Sequence, residues 1–234
     1  SKNIAAFFMT GQSDVLPIII LTSGFIIFFI KINLVSNLIF CINNFNNLSF
    51  IYFVILFIIM KTIEIDGLSF ELMLSSDQIL ERIEVLSELL KTKYQDTWPL
   101  CLIVLNGASI FASALLQNIN DSVPISLVKV KSYSGTESTN SIVIDYFPHE
   151  IVKNRDILLI EDVVDSGLTL NFLQKELKKY GAKNIECVTL FFKPSKYNYS
   201  STPNYVGFSI GEEFIVGYGM DYNQQGRDLS HVYK

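Results

Sequence analysis

The chain has 234 residues, 50% of them hydrophobic, and a formal net charge of −5. That balance argues against a duplex-binding surface, which needs a basic patch to displace counterions, but leaves room for a local phosphate pocket. Three cysteines (Cys41, Cys101 and Cys187) are odd in number and far apart; they make neither a disulfide framework nor a metal-ligand set and suit a reducing, cytoplasmic compartment.

In chain order, the first signal is a change of composition at Met60. Residues 1–59 hold only Lys2, Asp14 and Lys31 as charges and are dominated by Ile, Phe, Leu, Asn and Ser. Of their two apolar runs, 15–30 and 48–60, the second is shorter than the roughly 20 residues that a spanning helix needs. A membrane hairpin or anchor, a secretory signal, and translated AT-rich sequence upstream of a start at Met60 are the three readings. The third is preferred, so residues 1–59 are expected to lie outside the native enzyme, with no membrane association unless they are genuine.

From Met60 the pattern is that of a globular domain. Ser75 and Gln78 predict a capping box ahead of Ile79, Leu80, Ile83, Leu86, Leu89 and Leu90 at helical spacing. The apolar run 100–105 predicts a strand buried on both faces, and Gly107 precedes a small-residue helix over 108–117. Strands are predicted over 123–130 and 141–147, separated by the polar stretch 131–140. A short apolar strand over 156–160 leads through a loop to an amphipathic helix over 168–180 that Gly181 ends. A strand over 185–192 and short β-like runs with glycines over 205–222 complete the chain. Strands alternating with helices predict an α/β fold with a mostly parallel central sheet.

The chemistry concentrates after the strand at 156–160. Glu161 and Asp162 sit at its carboxyl end, where α/β proteins place ligands, and Asp165 follows three residues later. Ser166, Gly167, Leu168 and Thr169 then open a helix, whose unpaired N–H groups and hydroxyls make a cradle for one phosphate. The carboxylates can accept from vicinal sugar hydroxyls or hold a hydrated magnesium ion. Other nucleotide sites are absent: no glycine-rich P-loop motif ending in Gly-Lys-Ser/Thr and no G-x-G-x-x-G occur. His149 and His231 are the only histidines, without a G-x-S-x-G motif or metal spacing.

An apolar strand followed by E-D-x-x-D-S-G-x-T resembles the phosphoribosyl pyrophosphate (PRPP) signature of type I phosphoribosyltransferases. Over residues 60–234 the chain is similar to their hypoxanthine phosphoribosyltransferase family. Residues 104–108, Val-Leu-Asn-Gly-Ala, look like the family's first loop; the resemblance implies a cis Leu105–Asn106 bond and a pyrophosphate contact through Leu105, Asn106 and Gly107. The stretch 131–140, with Ser132 and Tyr133, looks like its mobile loop. Lys193, after Phe191 and Phe192, matches the residue that selects a 6-oxopurine by donating to its O6. Residues 213–229 match the C-terminal signature, which implies that Phe214 stacks on the base and Ile215 offers its main chain. It further implies that Asp221 joins Glu161 and Asp162 in holding Mg2+, that Arg227 reaches pyrophosphate, and that Asp165 is the general acid/base near the purine. The implied fold adds a small hood, formed by the N- and C-terminal segments of the domain, to the central sheet. The implied assembly is a homodimer or homotetramer, and the implied reaction is purine salvage from PRPP and hypoxanthine or guanine. A xanthine- or guanine-preferring enzyme, and a non-catalytic nucleic-acid-binding regulator of the same fold, are the alternatives.

Overall fold

Residues 19–21, 25–27, 62–133 and 141–234 are described by the structure, a computed structural model, with side chains over 62–131 and 142–234. The chain divides into two units, Ser1–Met60 and Lys61–Lys234. Within the first, β1 (Ile19–Leu21) and β2 (Phe25–Ile27) pair antiparallel, Ile20 opposite Ile26. The rest of the two apolar runs lies outside the described residues. Among the described residues no helix is long and apolar enough to cross a membrane.

The second unit opens with β3 (Thr62–Ile65) and β4 (Leu68–Leu74), an antiparallel pair that β11 (Val232–Tyr233) joins at the C-terminus in the order β11-β4-β3. This small sheet is the expected hood, and Ile65, Phe70, Val216 and Tyr233 fill its own core. Helix α1 (Ser76–Lys93) begins with the expected capping box: the Gln78 N–H donates to Ser75 Oγ at 3.3 Å and the Ser75 N–H to Gln78 Oε1 at 3.0 Å. Its stripe of Ile79, Ile83, Leu86 and Leu90 is buried, each side chain contributing about 1.5–3 kcal/mol.

Six strands form the main sheet in the order β10-β9-β8-β5-β6-β7. They are β5 (Leu100–Leu105), β6 (Ile125–Tyr133), β7 (Ser141–Tyr146), β8 (Ile157–Val164), β9 (Ile185–Phe192) and β10 (Tyr205–Ser209). All neighbours run parallel except β6 and β7. Alternation along β5 sends Cys101 and Ile103 into one apolar layer with α1 and α2 (Ala108–Ile119). It sends Leu100, Leu102 and Val104 into the other layer, with α4 (Leu168–Lys179). A short α3 (His149–Val152) precedes β8. Helix α4 ends as expected at Gly181, whose N–H donates to the Lys178 carbonyl while the Ala182 N–H reaches that of Leu177, both at 3.0 Å.

Two predicted boundaries move by more than two residues. Strand β8 does not stop at Ile160 but continues to Val164, because Glu161, Val163 and Val164 keep pairing with Thr189, Phe191 and Phe192 of β9. Ladder pairing with a central neighbour outweighs the weak strand preference of two acidic residues. Strand β6 runs past Val130 because Lys131, Ser132 and Tyr133 pair with Val143, Ile142 and Ser141. The first three residues of the expected mobile loop are therefore strand in backbone; the side chains of Ser132 and Tyr133, and residues 134–140, lie outside what is described.

Candidate active site

Two β-to-α junctions and the hood meet at the carboxyl ends of β5 and β8. At the first, the Leu105–Asn106 peptide bond is cis, as the resemblance implied. Gly107 then leads into α2; a Cβ there would overlap Asp162 Oδ2 and lie 2.7 Å from its Cγ, so any side chain at this turn would have to displace the Asp162 carboxylate. The Asp162 carboxylate takes the Val163 N–H at 2.9 Å.

The longer β8 separates the paired carboxylates. Successive side chains leave an extended strand on opposite faces. Glu161, 5% exposed, lines the cleft over the start of α4, while Asp162 faces Gly107 at the head of α2. Burial, reinforced by the charge of Asp162, pushes the Glu161 carboxyl well above its ordinary range. Burial raises Asp162 as well, opposed by its hydrogen bond from Val163 and by the positive charge of Arg227.

At the second junction, Gly167 adopts a left-handed conformation (φ 82°) and caps α4 without any side-chain hydrogen bond. The helix's first main-chain bond runs from Asn171 to Gly167 at 2.9 Å. The Leu168 N–H finds only Ser166 Oγ, at 3.4 Å, and those of Thr169 and Leu170 have no partner among the described residues. These open donors, at the positive end of a helix, line a cleft of about 90 Å³ bounded by Glu161 and residues 163–170. The expected phosphate cradle of Asp165, Ser166, Gly167, Leu168 and Thr169 is thus brought together.

Asp165 stands beside it, half exposed, with Oδ2 3.0 Å from Lys193 Nζ and Oδ1 3.7 Å from Lys196 Nζ. Lys193, which leaves β9 next to Val164 through a 3.0 Å main-chain bond, is buried at 4% exposure. A buried ammonium needs a partner; Asp165 supplies one and leaves further donors for a ligand.

Phe214 is 54% exposed and rests against Phe70 (6.3 Å between centroids) and Tyr222 (5.9 Å), which in turn contact each other at 5.9 Å. An apolar ring backed by rings and open on one side is a stacking platform. Ile215 buries its side chain in the α1–α2 layer. Asp221 and Arg227 stand next to each other. They pair at 2.6 Å, while Arg227 also donates to the Gly219 carbonyl and Asp221 accepts from the Gln224 N–H, both at 2.8 Å. The acidic set Glu161, Asp162 and Asp221 makes no ready metal cluster among the described residues. Phe70 and Tyr222 behind Phe214, Lys196 on Asp165, and Tyr197 and Tyr199 against Gly167 escape the sequence reading. No spacing rule links these partners; the aromatic pair in Lys196-Tyr197-Asn198-Tyr199 was the only available hint.

Comparison with known proteins agrees with this geometry. The phosphoribosyl transferase domain family matches residues 75–223. A hypoxanthine-guanine phosphoribosyltransferase of Bacillus subtilis is 36% identical over 163 residues, covering 69% of this chain and 91% of that protein. The bifunctional protein TilS/HprT of Listeria monocytogenes is 37% identical over the same length, of which the chain spans only 25%. A crystal structure of a hypoxanthine phosphoribosyltransferase from Staphylococcus aureus superposes with a TM-score of 0.66 at 33% identity, covering 70% of this chain and 90% of that one.

Proposed function

The chain belongs to the phosphoribosyltransferase family, alongside hypoxanthine-guanine phosphoribosyltransferases, and on that premise we propose that it transfers 5-phosphoribosyl from PRPP to hypoxanthine and guanine. The observation that carries the reading is the phosphate loop. Open N–H groups at Thr169 and Leu170 lie beside Asp165, which holds the buried Lys193.

A base nitrogen displaces pyrophosphate from C1′ of the ribose, through a transition state with little bonding to either group. The loop 165–169, with the Ser166 and Thr169 hydroxyls, anchors the 5′-phosphate, so that remote binding becomes orientation at C1′. Glu161 and Asp162 take the ribose side. Asp165 exchanges the proton at the purine N7, and Lys193, already anchored by Asp165, donates to O6. Phe214 stacks on the base and Ile215 offers its main chain. Leu105, Asn106, Gly107 and Arg227 take pyrophosphate, and the loop carrying Ser132 and Tyr133 excludes water. Glu161, Asp162 and Asp221 are the residues that would hold Mg2+. Their scatter suits an ion that keeps waters and takes most of its other ligands from substrate oxygens. When bound, the ion neutralises charge on the departing pyrophosphate.

The decisive test is product formation from PRPP with hypoxanthine, guanine, xanthine or adenine. IMP and GMP are expected, with no AMP. Best use of xanthine overturns the base preference, best use of adenine overturns the role of Lys193, and no product with any base overturns the activity. We also propose that residues 60–234 suffice for activity, as a cytoplasmic homodimer or homotetramer. Removal of residues 1–59 is then expected to leave turnover unchanged, and light scattering reads the assembly.

A further inference from the structure

We propose that Tyr197 is a positioning residue for the phosphate loop, its ring forming the wall that holds the left-handed turn at Gly167. The inference rests on the reading of residues 165–169 as the 5′-phosphate site. Gly167 is buried, and a Cβ built on it would overlap Cε2 of Tyr197 and lie 2.9 Å from Cδ2 of Tyr199. The Tyr197 ring therefore lies directly against the glycine.

That ring is itself fixed on several sides. It meets Phe192 edge-on at 5.3 Å and 74°, and Tyr199 at 5.9 Å and 68°, and its hydroxyl donates to the Ser201 carbonyl. The segment carrying it follows the loop residue by residue. The Lys193 N–H donates to the Val164 carbonyl at 3.0 Å, Lys196 Nζ lies 3.7 Å from Asp165, and the Asn198 N–H donates to the Ser166 carbonyl at 3.4 Å. Residues 193–199 thus brace the loop without lining its cleft.

The loop needs this brace because it lacks the usual one: no side chain caps α4. Glycine at a positive φ has wide freedom of its own. A cradle whose donors must first be ordered binds more weakly, by the entropy of ordering them. Tyr197 does not line the cleft bounded by Glu161 and residues 163–170, so its loss weakens phosphate binding rather than bond making.

The test uses the full chain with Tyr197→Ala and Tyr197→Phe, steady-state kinetics, and calorimetric titration with ribose 5-phosphate. Tyr197→Ala is expected to raise the KM for PRPP and the Kd of ribose 5-phosphate by about tenfold or more. The KM for hypoxanthine and kcat should stay within about twofold, and Tyr197→Phe should restore the wild-type values. Unchanged ribose 5-phosphate binding in Tyr197→Ala, an equal loss toward both substrates, or failure of Tyr197→Phe to restore binding overturns the assignment. If Tyr197→Ala does not fold, Tyr197→Leu keeps bulk without a flat ring and is expected to show the same one-sided loss. A wild-type chain that binds no ribose 5-phosphate instead overturns the reading of the loop, and the role of Tyr197 with it.

Discussion

The phosphate loop and the hood are built from opposite materials. Loop 165–169 draws its donors from consecutive residues between one strand and one helix. The hood joins β4 to a C-terminal strand and ties Asn223 to Asp66 at 2.6 Å across 157 positions. Its exposed ring, Phe214, rests on Phe70 and Tyr222. A contiguous site is held by local backbone geometry, so damage there should stay local. A site assembled from both ends of the domain depends on tertiary packing, so damage there should spread.

The sharpest probe of the junction between them is Asp165→Asn, which preserves shape and a hydrogen-bond acceptor for Lys193. Turnover is expected to fall roughly 10²–10⁴-fold with little change in either KM. Steady-state kinetics read this, and unchanged turnover removes the acid/base role. In the hood, Phe70 is 6% exposed, and Phe70→Ala is expected to cost about 3–5 kcal/mol, or on the order of 10 °C in Tm. The purine KM should rise with it while the Kd of ribose 5-phosphate holds. Equal damage to both ligands would erase the contrast. At the loop, Gly167→Ala places a methyl group against Tyr197 at φ 82°. About tenfold weaker ribose 5-phosphate binding is expected, with a Tm change smaller than that of Phe70→Ala; titration and thermal melts check both.

The contrast also explains what the sequence could tell. The signature from Glu161 to Thr169 was legible because strand, acidic pair and glycine turn are neighbours in the chain. The capping box at Ser75 and the apolar run of β5 were legible for the same reason. The two boundaries that moved furthest, at Ile160 and Val130, moved because pairing with a neighbouring strand decides where a strand ends, and that information lies elsewhere in the chain. The Lys193–Asp165 pair joins positions 28 residues apart, and no local pattern announces it. Nor does any pattern reveal that Arg227 and Asp221 pair with each other.

Glu161 gives the finest probe, because its carboxyl is buried at a strand end, as the proposed ligand role would require. Burial raises its carboxyl well above the ordinary 4.5, so the folded chain holds that proton more tightly than the unfolded one. By linkage, its contribution favours the fold below pH 4.5 and is lost as pH rises from there through the raised native value. Asp162, also raised by burial, acts in the same direction. Glu161→Gln cannot ionise and escapes that loss. Its Tm relative to wild type is therefore expected to climb with pH across this window and then level off, by about 2–4 °C for each kcal/mol relieved. Thermal melts at about pH 4, 6 and 8 read the difference. A gain at neutral pH together with lost turnover would mark Glu161 as a residue kept for its ligand at the expense of stability. A pH-independent difference, or one that shrinks as pH rises, would mean that burial of this carboxylate is relieved in some other way.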